Sequence, residues 1–85
     1  MDAWIDELAE ALGQDPLTQD QTDRLLRASR DVAHRVERRL TPLAAFLIGS
    51  AVGGNVARGA SRADALQATL ETVAGLLPPA DGPAG

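Results

Sequence analysis

The chain has 85 residues, no cysteine, one histidine and a formal net charge of −4 at pH 7. A domain this small buries only about 60–65% of the surface that its unfolded chain exposes, and without cysteine it has no disulfide or thiolate zinc site to stabilise it. One histidine is also too few for a nitrogen-based metal site, so we expect no metal and no cofactor. The negative net charge argues against nucleic acid as a partner.

The first predicted element is an acidic amphipathic helix. Asp2 is the expected N-cap, apolar residues recur at helical spacing from Trp4 to Leu12, and Gly13 is expected to end the helix. The first twenty residues contain six acids and no base. The exposed side of this helix is therefore predicted to be strongly negative.

A second helix is predicted to run to about Arg39. Thr18 followed by Gln21 has the pattern of a capping box, although Thr22 is an equally good start. Apolar or small residues then recur at helical spacing and predict one buried stripe. The stripe consists of Leu25, Leu26, Ser29, Val32, Ala33, Val36 and Leu40.

Thr41 and Pro42 mark the break before a third helix. Thr41 is expected to cap it, because Pro42 suits the first helical position and pushes the preceding residue out of helical geometry. The helix, to about Val56, has no charge and is apolar nearly all round, which predicts that neighbours bury it on most sides. Gly49 and Gly53, one turn apart, indicate either close approach of another helix or a frayed end.

A fourth helix follows Gly59. Ser61 with Asp64 resembles a capping box, and Pro78 is expected to stop the helix. Its stripe consists of Ala63, Leu66, Leu70, Val73 and Leu77.

Together these elements predict an all-α fold. We expect a single small bundle of about four helices over residues 1–77, with an apolar, buried third helix, and a disordered Pro/Gly tail over residues 78–85. Acids stand where a signal peptide carries Lys or Arg, and the longest apolar stretch, 43–54, is shorter than the about 20 residues that a bilayer requires. We therefore expect a cytoplasmic protein without a membrane partner.

No group of residues has the arrangement that catalysis requires. His34 would need an orienting partner and a nucleophile, and no suitable serine follows a strained turn. Phosphate loops and calcium loops are also absent from the pattern. Ser29 lacks the Asp-Ser-Leu context of an acyl carrier domain. A DNA-binding helix-turn-helix needs a short turn and an exposed recognition helix, whereas the basic second helix is followed by the predicted buried third helix. We predict that the protein is not an enzyme and has no catalytic residue.

The second helix carries the charged surface on which a binding site is predicted. This Arg/His surface consists of Arg27, Arg30, His34, Arg35 and Arg38. On a helical wheel one face opposite the apolar stripe holds Arg24, Arg27, Asp31, Arg35 and Arg38. His34 lies beside that face, flanked by Arg30 and Arg38 one turn away on either side. One interpretation is a solvated face with i, i+4 pairs such as Arg27–Asp31 and Asp31–Arg35, or a face that meets the acidic first helix of the same or another copy. The other is a site for an anion, a nucleotide or an acidic partner, because guanidinium groups match phosphate and carboxylate.

Residues 31–49, DVAHRVERRLTPLAAFLIG, resemble a small helical domain family of unknown function from actinobacteria. The family pattern is similar to D-V-A-H-x-V-x-R-P-x-A-P-L-T-x-F-L-x-G, and Trp4 in an acidic first helix is similar to the family's start. The likeness covers about residues 2–77. Arg39 stands where the family often has Pro, and Ala44 where Thr is common.

Such domains occur alone or as a C-terminal extension of the molybdenum-cofactor guanylyltransferase. The resemblance implies a role beside molybdopterin guanine dinucleotide biosynthesis and supplies no catalytic residue. The resulting hypothesis is a non-catalytic interaction domain that binds a protein partner or forms a homo-oligomer such as a dimer. The alternative is an anion- or nucleotide-binding module that uses the Arg/His surface.

Overall fold

The computed structural model describes residues 3–79, and these form four α-helices and one 3-10 turn without a strand. The all-α prediction is therefore confirmed. The predicted cap at Asp2 and most of the predicted tail, residues 80–85, lie outside the described residues. The elements are α1 (Ala3–Ala11), α2 (Gln19–Arg35), the 3-10 turn (Arg38–Leu40), α3 (Thr41–Ala57) and α4 (Arg62–Leu76).

The starts of α2 and α4 agree with the predicted caps. The Thr18 amide donates to Gln21 Oε1 at 3.0 Å, and the Gln21 amide donates to Thr18 Oγ1 at 3.1 Å. Ser61 Oγ accepts from the Asp64 amide at 3.0 Å. After α1, Gly13 adopts a φ of 70°, which glycine reaches without the strain that a Cβ would cause.

The junction between α2 and α3 differs from the prediction. α2 ends early, because Val36 leaves the helical region at φ −116° and ψ −86°, and Glu37 is extended. The 3-10 turn leads directly into α3, whose first residue, Thr41, is helical at φ −55° and ψ −50°. The predictions that α2 reaches Arg39 and that Thr41 caps α3 were wrong. A bond from the Thr41 amide to the Arg38 carbonyl offsets the bias that a following proline imposes.

A guanidinium group joins the start of α4 to the linker between α1 and α2. Arg62 Nη1 donates to the Asp15 carbonyl at 2.8 Å, and Nη2 donates to the Pro16 carbonyl at 2.6 Å and to Gln21 Oε1 at 3.0 Å. Gln21 is buried, and the same Oε1 closes the capping box with Thr18. One side chain thus connects the linker, the start of α2 and the start of α4.

The apolar core of this chain is small. Among the described residues, the buried apolar side chains are Val32, Ile48, Ala65 and Leu66. α3 packs against α4 and α2, whereas no residue of α1 comes within 8 Å of another helix, measured between Cα atoms.

The third helix is much less buried than predicted. Ile48 is its one buried side chain, whereas Leu43, Phe46 and Leu47 are 58%, 73% and 67% exposed. The cause is that α2 and α4 cover one side of α3 and α1 does not reach it. The prediction that neighbours in the chain bury α3 on most sides was therefore wrong.

The two helical glycines of α3 also differ from both interpretations of them. A Cβ built on Gly49 or Gly53 would meet nothing within 4 Å, so no helix of the same chain approaches closely there. Fraying is not observed either, because α3 continues to Ala57. The outer side of α3 is therefore a regular helical surface of small and apolar residues that this chain leaves open.

One helical stretch, Arg38–Ala57, is long and apolar enough to cross a membrane. It is longer than the apolar run that the sequence suggested, because the 3-10 turn and α3 are continuous. The criterion concerns length and composition, and the core helices of soluble proteins meet it as well.

Arg62→Ala tests the connection at the start of α4. We expect the free energy of unfolding to fall by about 2 kcal/mol, because hydrogen bonds from a charged donor are lost and buried Gln21 loses a partner. Arg62→Lys should restore less than half of the loss, since an ammonium group lacks the planar fork. Denaturant unfolding followed by circular dichroism measures both. Arg27→Ala removes an arginine that has no partner among residues 3–79 and should change stability by less than about 0.5 kcal/mol. Equal losses in the two alanine variants would attribute the effect to net charge.

Thr41→Val should stabilise the chain. Thr41 Oγ1 is buried without a hydrogen-bond partner, and a buried unpaired polar group costs about 1–3 kcal/mol. Valine replaces the hydroxyl with a methyl group of similar shape, so we expect a gain of about 1 kcal/mol in thermal or denaturant unfolding. Thr72→Val is the control, because the Thr72 hydroxyl donates to the Ala68 carbonyl at 3.2 Å. A decrease for Thr41→Val would contradict the expectation.

Candidate functional site

The structure divides the predicted Arg/His surface into two parts. Arg27, Arg30 and His34 are exposed and lie within about 60° of one another around α2, at 100° per residue. Arg35 is half-buried at the last turn. Arg38 belongs to the 3-10 turn, so the helical spacing that placed it beside His34 does not apply.

The ion pairs of this region leave the first part open. Arg35 Nη2 lies 3.8 Å from Asp31 Oδ1, as the sequence suggested, but the suggested pair between Arg27 and Asp31 is absent. Arg27, Arg30, His34 and Arg38 make no ion pair or hydrogen bond to another described residue. The other pairs are Arg24–Asp20 at 2.8 Å and Arg39–Glu37 at 2.5 Å.

The exposed position of these side chains limits their chemistry. His34 has no hydrogen-bonded carboxylate to orient it, and no group of three or more His, Cys, Asp or Glu side chains within residues 3–79 is placed to hold a metal ion. Solvated cations on one helix face can attract a phosphate or carboxylate, but each contact is weak in water. The exposed part of the Arg/His surface could therefore bind an anion only weakly.

An apolar groove between α3, α4 and the end of α2 was not predicted from the sequence. Its volume is about 750 Å³, and none of its fifteen lining residues is charged. The sequence signal that could have indicated it is the absence of charge along α3, which we interpreted as burial within the chain. The large side chains along it include Val36, Leu40, Leu43, Leu47, Val73 and Leu76.

Two of the three polar side chains that line the groove form hydrogen bonds within the chain. Asn55 Oδ1 accepts from Arg58 Nη2 at 2.6 Å, and Thr72 Oγ1 donates to the Ala68 carbonyl at 3.2 Å. The walls are also open to water, since Leu76 is 82% exposed. A complementary ligand would therefore present apolar surface, with little need for hydrogen bonds.

The family model described as "Domain of unknown function (DUF6457)" matches residues 1–83. The chain belongs to this family. No curated protein and no solved structure matches it. The match confirms the resemblance to a domain of unknown function, but it says nothing of actinobacteria or of the molybdenum-cofactor guanylyltransferase. The apolar groove and the Arg/His surface are thus the two candidate sites of this DUF6457 domain.

Proposed function

We propose that this DUF6457 domain is a non-catalytic, cytoplasmic interaction domain that binds a protein partner or a second copy of itself. The observation that carries the proposal is the apolar groove, together with the exposed Leu43, Phe46 and Leu47 of α3. Contiguous apolar surface that a soluble protein leaves exposed often marks an interaction site. Binding through this surface would remove it from water.

The surroundings of His34 support a binding role over a catalytic one. A general base acts through a hydrogen bond to the proton that it removes, and it is usually oriented by a further group. His34 is exposed on α2 and makes no hydrogen bond to another described residue. The uncharged groove, in contrast, is suited to binding the apolar surface of a partner.

The biological setting that we propose is accessory to molybdenum-cofactor biosynthesis, beside the guanylyltransferase that forms molybdopterin guanine dinucleotide. Its support is the resemblance of residues 31–49, to which the family match adds no further statement. The guanylyltransferase is therefore the first partner to test.

Binding of the purified guanylyltransferase, measured by calorimetry, tests the groove as the interaction surface. Leu47→Glu places a carboxylate on the groove wall, and we expect at least about a tenfold loss of affinity, because burying an unpaired charge is costly. Leu26→Glu makes the same change at a leucine of α2 that is 64% exposed, against 67% for Leu47, and should bind like the wild type. Equal binding by both variants would exclude the groove, and no binding by the wild type would exclude this partner.

A second candidate function is favoured by the exposed side chains of Arg27, Arg30 and His34 on one face of α2. Such a face would bind an anion or nucleotide weakly, with a dissociation constant of about 1 mM, because each exposed charge contributes little. NMR titration with GTP, molybdopterin guanine dinucleotide and inorganic phosphate should shift the amides around His34.

The Arg30→Ala variant should weaken these shifts, and Arg24→Ala, which removes an arginine paired with Asp20, is the matched control. No shift around His34 at millimolar ligand would exclude this function. Shifts that respond equally to the two variants would indicate a general charge effect.

A further inference from the structure

The chain exposes more surface than a folded monomer of its mass. Its accessible area is 6180 Å² at 8.9 kDa, against about 4,800 Å² expected for a compact monomer. The eight residues outside the described range contribute at most about 1,000 Å², the area of an unfolded chain of their mass. A compact monomer with the mass of residues 3–79 would expose about 4,500 Å², so the described part retains an excess of about 600 Å². This excess is close to the about 800 Å² that each partner buries in a standard interface.

The open apolar surface is also the part of the chain on which two copies can meet without bringing like charges into contact. Neither the 17 residues of α3 nor the lining of the groove includes a charge. When two identical surfaces meet around a two-fold axis, a charged group near the axis approaches its own copy. Two copies with a net charge of −4 each repel overall, and an uncharged surface lets them meet without burying a charged group.

Phe46 and the groove form a self-complementary pair on one chain. Leu43 and Leu47 line the groove, and Phe46 lies beside Leu43 on the outer side of α3 with 73% of its surface exposed. A Cβ built on Gly49, one turn further along, would meet no other group of residues 3–79 within 4 Å that could block an approach. A two-fold axis that brings Phe46 of one copy into the groove of the other creates the reverse contact as well.

From these observations we propose that a second copy of this chain occupies the groove: the domain is a symmetric dimer in which Phe46 of each copy enters the groove of its partner. The inference rests on the proposed function and names the occupant of the same surface. It also accounts for the small core, because the dimer completes the burial of α3 that one chain leaves open. Each groove is incomplete without the partner's Phe46.

A lipid surface is the competing occupant, since Arg38–Ala57 meets the length and composition of a membrane span. Helices that lie in a membrane interface carry a charged face opposite the apolar one, with Lys or Arg at its edge. α3 has no charged face, and α4 covers its inner side. The second copy is therefore favoured, and vesicle binding becomes an outcome of the test.

Sedimentation equilibrium and light scattering of the full chain, from about 10 μM to 1 mM, test the dimer. The wild type should have twice the mass of the 8.9 kDa chain. Phe46→Glu and Leu47→Glu should each raise the dissociation constant at least about 100-fold, because the new carboxylate would be buried without a partner. Leu26→Glu, at a similarly exposed leucine outside the groove, should remain dimeric.

Two further measurements separate loss of the dimer from loss of the fold. Phe46 is largely exposed in the single chain, so Phe46→Glu should keep its helical circular dichroism. The unfolding midpoint of a dimer rises with protein concentration, whereas that of a monomer does not. The wild type and Leu26→Glu should show this dependence on concentration, and Phe46→Glu and Leu47→Glu should lose it.

A wild type that keeps the mass of one chain at 1 mM, with a concentration-independent midpoint, overturns the dimer. If that monomer binds vesicles of phosphatidylglycerol and phosphatidylcholine, the surface belongs to lipid. A dimer that survives both Phe46→Glu and Leu47→Glu also overturns the proposed interface. A monomer whose binding of the guanylyltransferase depends on Leu47 overturns the dimer alone, whereas a monomer that binds neither partner nor vesicle overturns the proposed function as well.

Discussion

The guanidinium group of Arg62 determines where α4 begins relative to α2 and to the linker before it. Its hydrogen bonds reach two backbone carbonyls, at Asp15 and Pro16, and the side chain of Gln21. Since few apolar side chains are buried among residues 3–79, directional polar bonds contribute more to the arrangement than they would in a larger core. Once α4 is placed, its contact with α3 follows, and the groove lies along that contact.

The exposure of α3 shows that an apolar sequence pattern can predict burial without predicting what buries the helix. An uncharged, apolar helix indicates a surface that favours removal from water. It does not indicate which molecule removes it. In this chain α4 and α2 cover the side of Ile48, and the side of Phe46 stays in solvent. The same residues that indicated a buried core helix therefore indicate an interface.

The sequence predicted features that depend on residues three or four positions apart. The caps at Thr18 and Ser61 are of this kind, and both are present. The end of α2 was not predictable, because neither glycine nor proline marks Val36, where the helix breaks. That break also places Arg38 in the 3-10 turn, where the helical spacing that grouped it with His34 does not apply. The bonds of Arg62 join residues far apart in the chain, and local patterns carry no signal for them.

The separation between Arg62 and its partners has a consequence for the lifetime of the folded chain. Most helix contacts join consecutive elements, α2 with α3 and α3 with α4, and such local contacts form quickly. The bonds of Arg62 instead close loops of 41 to 47 residues, whose entropic cost is met only after the helices have assembled. Interactions that form after the folding transition state slow unfolding without accelerating folding. We therefore expect the bonds of Arg62 to affect the rate at which the native chain opens more than the rate at which it forms.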